Sequence, residues 1–299
     1  MMDMDLLRSC RICPRTCGAD RLGGKAGACN VTGPDVYIAR AALHFWEEPC
    51  ISGEKGSGTV FFSGCSLHCV YCQNAAISHG NAGKAVTVSE LADTFLRLQE
   101  DRAENINLVT PTHYAVQISH ALTEAKTRGL HVPVVWNTGG YERAETLLEL
   151  QGLVDVWLTD YKYTDPETSA RYSGAPDYPE TAFSAIREMV RQQPECVFDE
   201  RGMLVRGVIV RHLVLPGHVR EAKAAVTRLY EAFGEKIFIS LMNQYTPMRE
   251  FPGDPLLSRK VTKREYERAV ATLLDLGIRN AFIQEGGTAE ESFIPPFEI

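Results

Sequence analysis

The sequence predicts an α/β protein: a partial (β/α)6 parallel barrel with a small Cys-rich segment at its N-terminus. Three observations lead there. Short apolar runs alternate with amphipathic stretches of helical period. The runs are near-continuously apolar, as in strands buried on both faces. The polar residues collect where the runs end, which is where parallel sheets keep their ligands.

Residues 1–55 are rich in Gly, Arg and Cys and weakly periodic, and are read as a metal-binding segment; residues 56–299 form the barrel. "TVFF" (59–62) is the first strand, followed by a loop with three Cys. Ser89 caps a helix with Leu91, Phe95 and Leu98 on one face. "INLVT" (106–110) is the second strand, stopped by Pro111, and a helix over 115–128 ends at Gly129. "VPVVW" (132–136) is the third strand, then a short helix at 144–150. "VDVWL" (154–158) is the fourth, then a helix at 178–191. "LVRGVIVRHLVL" (204–215), a helix at 221–233, "IFISLM" (237–242), a helix at 263–276 and "AFIQ" (281–284) complete the pattern. Six βα units and a closing strand are too few for an eight-fold barrel, so the sheet is expected to stay open.

The chain has 299 residues and a net charge of -7, with 44% hydrophobic and 23% charged residues, the composition of an ordinary globular protein. The acidic balance argues against nucleic acid as a partner. No apolar run reaches the ~20 residues of a membrane span, and the N-terminus has no signal-peptide core, so the expected location is cytoplasmic.

Nine cysteines are many for that compartment, where clustered Cys reads first as metal binding. The stretch "GCSLHCVYCQN" (64–74) sets Cys65, Cys69 and Cys72 at C-x3-C-x2-C. A cubane has four irons, so three thiolates leave one iron open, much as a catalytic zinc keeps one position free. The competing reading is a zinc site completed by Cys50 or His68.

The triad with Tyr71 just before its third Cys resembles the signature loop of the radical S-adenosylmethionine (radical SAM) enzymes. The resemblance extends over 59–286: "CVYCQN", "WNTGGY", "LTDYK" and "HLVLPG" are similar to the pyruvate formate-lyase activating enzymes. The N-terminal "CRICPRTCG", "HFWEEPCISG" and "GTVFFSGC" are similar to one activating-enzyme-like subgroup. The resemblance implies a [4Fe–4S] cluster on Cys65, Cys69 and Cys72, with SAM on the fourth iron. It implies reductive cleavage of SAM to a 5′-deoxyadenosyl radical that takes hydrogen from a substrate, with an electron donor such as flavodoxin or ferredoxin. It places Asn137 and Thr138 near the ribose, Lys162 on the methionine carboxylate with Asp160 beside it, and the Tyr71 backbone by the adenine. The activating enzymes end strand two with Gly-Gly-Glu; this chain has Thr110-Pro111-Thr112-His113, so Thr110 is the substitute contact. Of the adjacent Arg211 and His212 a strand points only one inward, and His212 is included in the set.

Plainer readings stand beside these. Asp160 and Lys162 also fit a simple ion pair, 137–140 a turn, His113 and His212 polar packing, and Trp136 and Trp157 the core. "GEKGSG" (53–58) lacks the spacing of a P-loop. Cys10, Cys13, Cys17 and Cys29 (spacings x2, x3, x11) suit four-thiolate zinc or a second iron–sulfur cluster equally. The first functional expectation is radical chemistry on a protein or peptide, with glycyl-radical generation as one form. The second is the same chemistry on a small molecule, and the third is a non-catalytic iron–sulfur or zinc sensor.

Overall fold

The structure, a computed structural model, describes residues 2–80, 82–284 and 297. In chain order the elements are β1 (Val36–His44), α1 (Pro49–Ser52), β2 (Ser57–Phe62), α2 (Ala75–Ser78), β3 (Lys84–Val86), α3 (Val88–Glu100), β4 (Ile106–Val109) and α4 (Ala115–Thr127). Then come β5 (Val134–Thr138), α5 (Ala144–Glu149), β6 (Val156–Asp160), α6 (Pro166–Ser173), α7 (Tyr178–Gln192) and β7 (Val197–Phe198). The chain continues through β8 (Leu204–Leu213), α8 (Val219–Phe233), β9 (Phe238–Met242), α9 (Lys263–Asp275) and β10 (Ala281–Ile283).

The sheet order is β10-β9-β8-β6-β5-β4-β2-β1-β3. The seven strands from β2 to β10 along this path, those expected from the sequence, are all parallel. Among the described residues nothing pairs β10 with β3, so the barrel stays open. Every residue of β2 and β5 is buried, because helices cover the outer face and side chains fill the inner one. Trp136 and Trp157 stand opposite each other on β5 and β6, fully buried, with ring centroids 6.3 Å apart. They belong to the core, as the plainer reading had it.

Several boundaries differ from expectation for local reasons. The third strand runs two residues further, so Asn137 and Thr138 pair with Leu158 and Thr159 and are strand, not turn. Helix α3 is capped by Thr87, which forms a reciprocal pair with Glu90; the Ser89 hydroxyl donates to Glu124 on α4 instead (2.7 Å). Helix α6, not anticipated, has a clear start and stop: Asp165 caps it, Pro166 opens it and left-handed Gly174 ends it.

The Cys-rich segment does more than precede the barrel. Its strand β1 pairs antiparallel with β2, and β3 pairs with β1. Met2, Leu7, Ile12 and Val31 lie in the same core as the sheet. Arg21, fully buried, lies over the Tyr114 ring (5.5 Å to its centroid) and donates to the His113 carbonyl at 2.5 Å. His113 in turn hydrogen-bonds the Ser63 carbonyl through Nε2 (2.8 Å). Among the described residues no helix is long and apolar enough to cross a membrane.

Burial first, then the Arg21 and His68 charges, hold the His113 imidazole down to about 3 from an ordinary 6.5. Below that ordinary value the unfolded chain binds a proton that the fold refuses. This contribution to stability is therefore whole above pH 6.5 and drains as pH falls toward 3, at about 1.4 kcal/mol per pH unit. We expect His113→Gln to flatten the stability slope between pH 6.5 and 5 in urea titrations; an unchanged slope would show that His113 is not buried neutral.

Candidate functional site

Strand β2 ends at Phe62, and the chain turns back on Gly64, whose φ is +91°. A Cβ there would lie 2.6 Å from Val31 and 2.8 Å from the Cys29 carbonyl, so only glycine fits. The loop that follows brings Cys65, Cys69 and Cys72 to one wall of a cleft over the carboxyl ends of the parallel strands. The Leu67 amide donates to the Cys65 sulfur (3.4 Å) and the Ser173 hydroxyl to the Cys69 sulfur (2.9 Å). A run of hydroxyls links Tyr71 to Tyr163 (2.6 Å) and Tyr163 to Ser173 (2.7 Å). Burial, then the neighbouring Cys69 and Cys65, push the Cys72 thiol up to about 12. Burial also raises Cys69, against the pull of Lys162. A metal takes its cysteines as thiolates, and the donors aimed at two of the sulfurs suit that form. The donor set therefore fits an iron–sulfur cluster.

The other walls carry most of the expected residues. Thr110, Asn137, Thr138, Asp160 and Lys162 all line the cleft with Tyr71. Thr110 holds a left-handed conformation (φ +57°), uncommon for a Thr and typical of functional turns. His212 is the exception. It points to the outer side of β8, where Nδ1 meets the Tyr161 carbonyl at 2.7 Å. The adjacent Arg211, which pairs with Asp160 across the β6–β8 ladder, lines the cleft in its place.

Arg211 is the hub of a buried polar network. It contacts Glu47 (2.9 Å), Asp160 (3.3 Å) and the Asn137 amide oxygen. Glu47 accepts from Asn107 and Asn137, both at 3.0 Å. Asp160 also pairs with Lys162. Burial opposes ionisation of Asp160, but Lys162 and Arg211 hold its carboxyl below the usual range. Asn137 keeps one amide N–H for a ligand. The pairing of Asp160 and Lys162 is thus part of a larger array, not an isolated surface bridge. Glu47 was not foreseen, because it reaches Arg211 and Asn137 from a loop that follows an antiparallel strand and leaves no periodic trace.

A second network lies behind Thr138. Thr112 and Thr138 both donate to Glu142 Oε1 at 2.6 Å, and Trp136 Nε1 does so at 3.1 Å. With their protons committed there, each hydroxyl oxygen keeps a lone pair, that of Thr138 after accepting the Gly140 amide at 3.3 Å. Burial lifts the Glu142 carboxyl above its usual range against these three donors.

Cys50 and His68 do not complete the triad. Cys50 packs in a separate apolar cluster with Ile51 and Cys196, and the His68 ring bonds the Ala28 carbonyl at 2.7 Å. Cys10, Cys13 and Cys29 are buried and Cys17 is exposed. Among the described residues no three Cys, His, Asp or Glu side chains lie close enough to hold a single metal ion.

Residues 51–173 match a family described as a 4Fe-4S single cluster domain, a span that contains the whole triad loop. An uncharacterized protein of Methanocaldococcus jannaschii is 27% identical over 275 residues, 89% of this chain and 74% of its own. Crystal structures of Streptococcus suis SuiB are also similar. One, bound to the precursor peptide SuiA, aligns with TM-score 0.52 at 12% identity and covers 75% of this chain and 47% of SuiB. Another, bound to S-adenosylmethionine, aligns at 0.51 and 15%, covering 74% and 48%. The chain spans about half the length of SuiB, and at such identity the likeness is one of fold.

The hub makes a direct prediction. Arg211→Met leaves Glu47 and Asp160 buried without their cation, and should cost about 3–5 kcal/mol of unfolding free energy in urea titrations. A variant as stable as the wild type would mean that water already neutralises the network.

Proposed function

We propose that the chain is a radical SAM enzyme whose Cys65, Cys69 and Cys72 hold a [4Fe–4S] cluster, and that its substrate is a protein or peptide. The observation that carries this is the three-thiol loop at the carboxyl end of a parallel strand, in one cleft with Thr138, Asp160 and Lys162 and without a fourth protein thiol. When bound, the cluster supplies one electron to the sulfonium of SAM, which splits into methionine and a 5′-deoxyadenosyl radical that takes a hydrogen atom from the substrate.

The residues of the cleft bind and orient. Lys162 pairs with Asp160 and lines the cleft together with Cys69 and Cys72, where its ammonium attracts a carboxylate. The lone pairs of Thr112 and Thr138, fixed by Glu142, suit an ammonium or a ribose hydroxyl. An amino-acid end with both charges thus meets both partners. Leu67, Leu213, Met242 and Tyr245 complete the walls and limit water around a reactive radical. The sheet stays open among the described residues, which favours a polypeptide, and the fold shared with a structure holding a precursor peptide supports the same choice. Glycyl-radical generation is one reaction of this kind. A low-potential carrier such as flavodoxin or ferredoxin is the proposed electron donor.

Two measurements test the reading. Protein reconstituted without oxygen, reduced with dithionite and given SAM should release 5′-deoxyadenosine and methionine; none above background with an intact cluster would contradict the reading. Cys69→Ala should abolish release. Lys162→Ala should keep the cluster and weaken SAM binding by about tenfold or more, the loss of one charge-assisted hydrogen bond. Unchanged SAM affinity would remove Lys162 from the binding set.

A further inference from the structure

The proposed reaction leaves one group of reactive side chains unused: Cys10, Cys13, Cys17 and Cys29. They are free thiols, and the backbone gathers them. The Thr16 amide bonds the Cys13 carbonyl (3.0 Å) and the Gly18 amide the Cys10 carbonyl (2.9 Å), folding 10–18 into a tight turn. Cys29 returns to this turn across Gly27. A Cβ at Gly27 would stand 3.4 Å from the Cys17 sulfur and 3.5 Å from the Cys29 sulfur, so two of the four sulfurs flank the one residue without a side chain. A tetrahedral zinc with bonds of about 2.3 Å draws its sulfurs to about 3.8 Å from one another. Among the described residues neither these cysteines nor those of the triad form a group of three gathered round a single-ion site. A four-iron cubane holds its cysteines farther apart than a lone ion does.

This group also abuts the triad loop. Arg15, between Cys13 and Cys17, donates to the carbonyl of Ser66, between Cys65 and Cys69, at 2.8 Å. His68 bonds the carbonyl of Ala28, next to Cys29, at 2.7 Å. Gly64, next to Cys65, lies against the Cys29 carbonyl. Each contact joins a residue between or beside cysteines of one group to its counterpart in the other.

We propose that Cys10, Cys13, Cys17 and Cys29 bind a second [4Fe–4S] cluster that relays electrons to the three-cysteine cluster. Its role as a relay rests on the radical SAM reading; its existence does not. With four thiolates it has no open iron, so it transfers electrons and binds no substrate. The steps balance. A reduced flavodoxin or ferredoxin gives up one electron, the four-cysteine cluster is reduced and then reoxidised, and the three-cysteine cluster is reduced by that electron. No proton moves.

The test is metal content after anaerobic reconstitution, with two variants. The wild type should hold about eight irons and the triple variant Cys65→Ala/Cys69→Ala/Cys72→Ala about four, with a Mössbauer spectrum of four-cysteine ligation. A wild type with about four irons, or with one zinc beside them, overturns the second cluster. In Cys13→Ala/Cys29→Ala, reduction of the remaining cluster by reduced flavodoxin should be lost while dithionite still reduces it. Reduction by flavodoxin at the wild-type rate overturns the relay. SAM cleavage by a protein with only four irons would sink this inference alone. Eight irons without SAM cleavage would sink the proposed function alone.

Discussion

Three cysteines presented on one cleft wall at the carboxyl end of one buried strand set the terms for the rest of the molecule. As thiols they waste a polar cleft, and as bare thiolates they repel one another in a place where burial already opposes charge. The proposed iron–sulfur cluster would resolve both difficulties. The surroundings suit it: the amide of Leu67 and the hydroxyl of Ser173 point at sulfur, and Lys162 adds a cation in the same cleft. Gly64 permits the sharp turn that presents the loop, and the N-terminal segment closes against it.

The cleft floor solves a related problem in a different way. Parallel strands end in one direction, so their polar terminal side chains meet in the interior. Asn137, Asp160 and Arg211 come from three successive strands of the sheet and satisfy one another, with Glu47 as a fourth member. Charges so enclosed are costly singly and tolerable as an array. The outcome is a rim in which Asp160 positions Lys162, while Glu142 separately positions Thr138.

Much of this was legible in the residues. The seven parallel strands follow from apolar runs and their spacing, and the triad, Thr138, Asp160 and Lys162 follow from motifs at run ends. What escaped did so for physical reasons. Strand β1 lies in the N-terminal segment outside the βα alternation, and β3 has only three residues, so pairing partners decide their conformation. Glu47 joins through tertiary contacts with Asn107, Asn137 and Arg211, and Glu142 stands just past the end of "WNTGGY", four residues beyond Thr138. Arg211 and His212 are neighbours on one strand, and only the register of β8 against β6 decides that Arg211 faces the cleft. The Cys10, Cys13, Cys17 and Cys29 set was visible as a set, but its contact with the triad loop was not, since it depends on single bonds from Arg15 and His68.

The central claim is a cluster with one iron that no side chain holds. It is tested most directly by electron–nuclear double resonance on the reduced protein with S-adenosylmethionine labelled with nitrogen-15 at its amino group. An open iron predicts a strong coupling between that nitrogen and the cluster spin. Full cluster occupancy without any such coupling would contradict it.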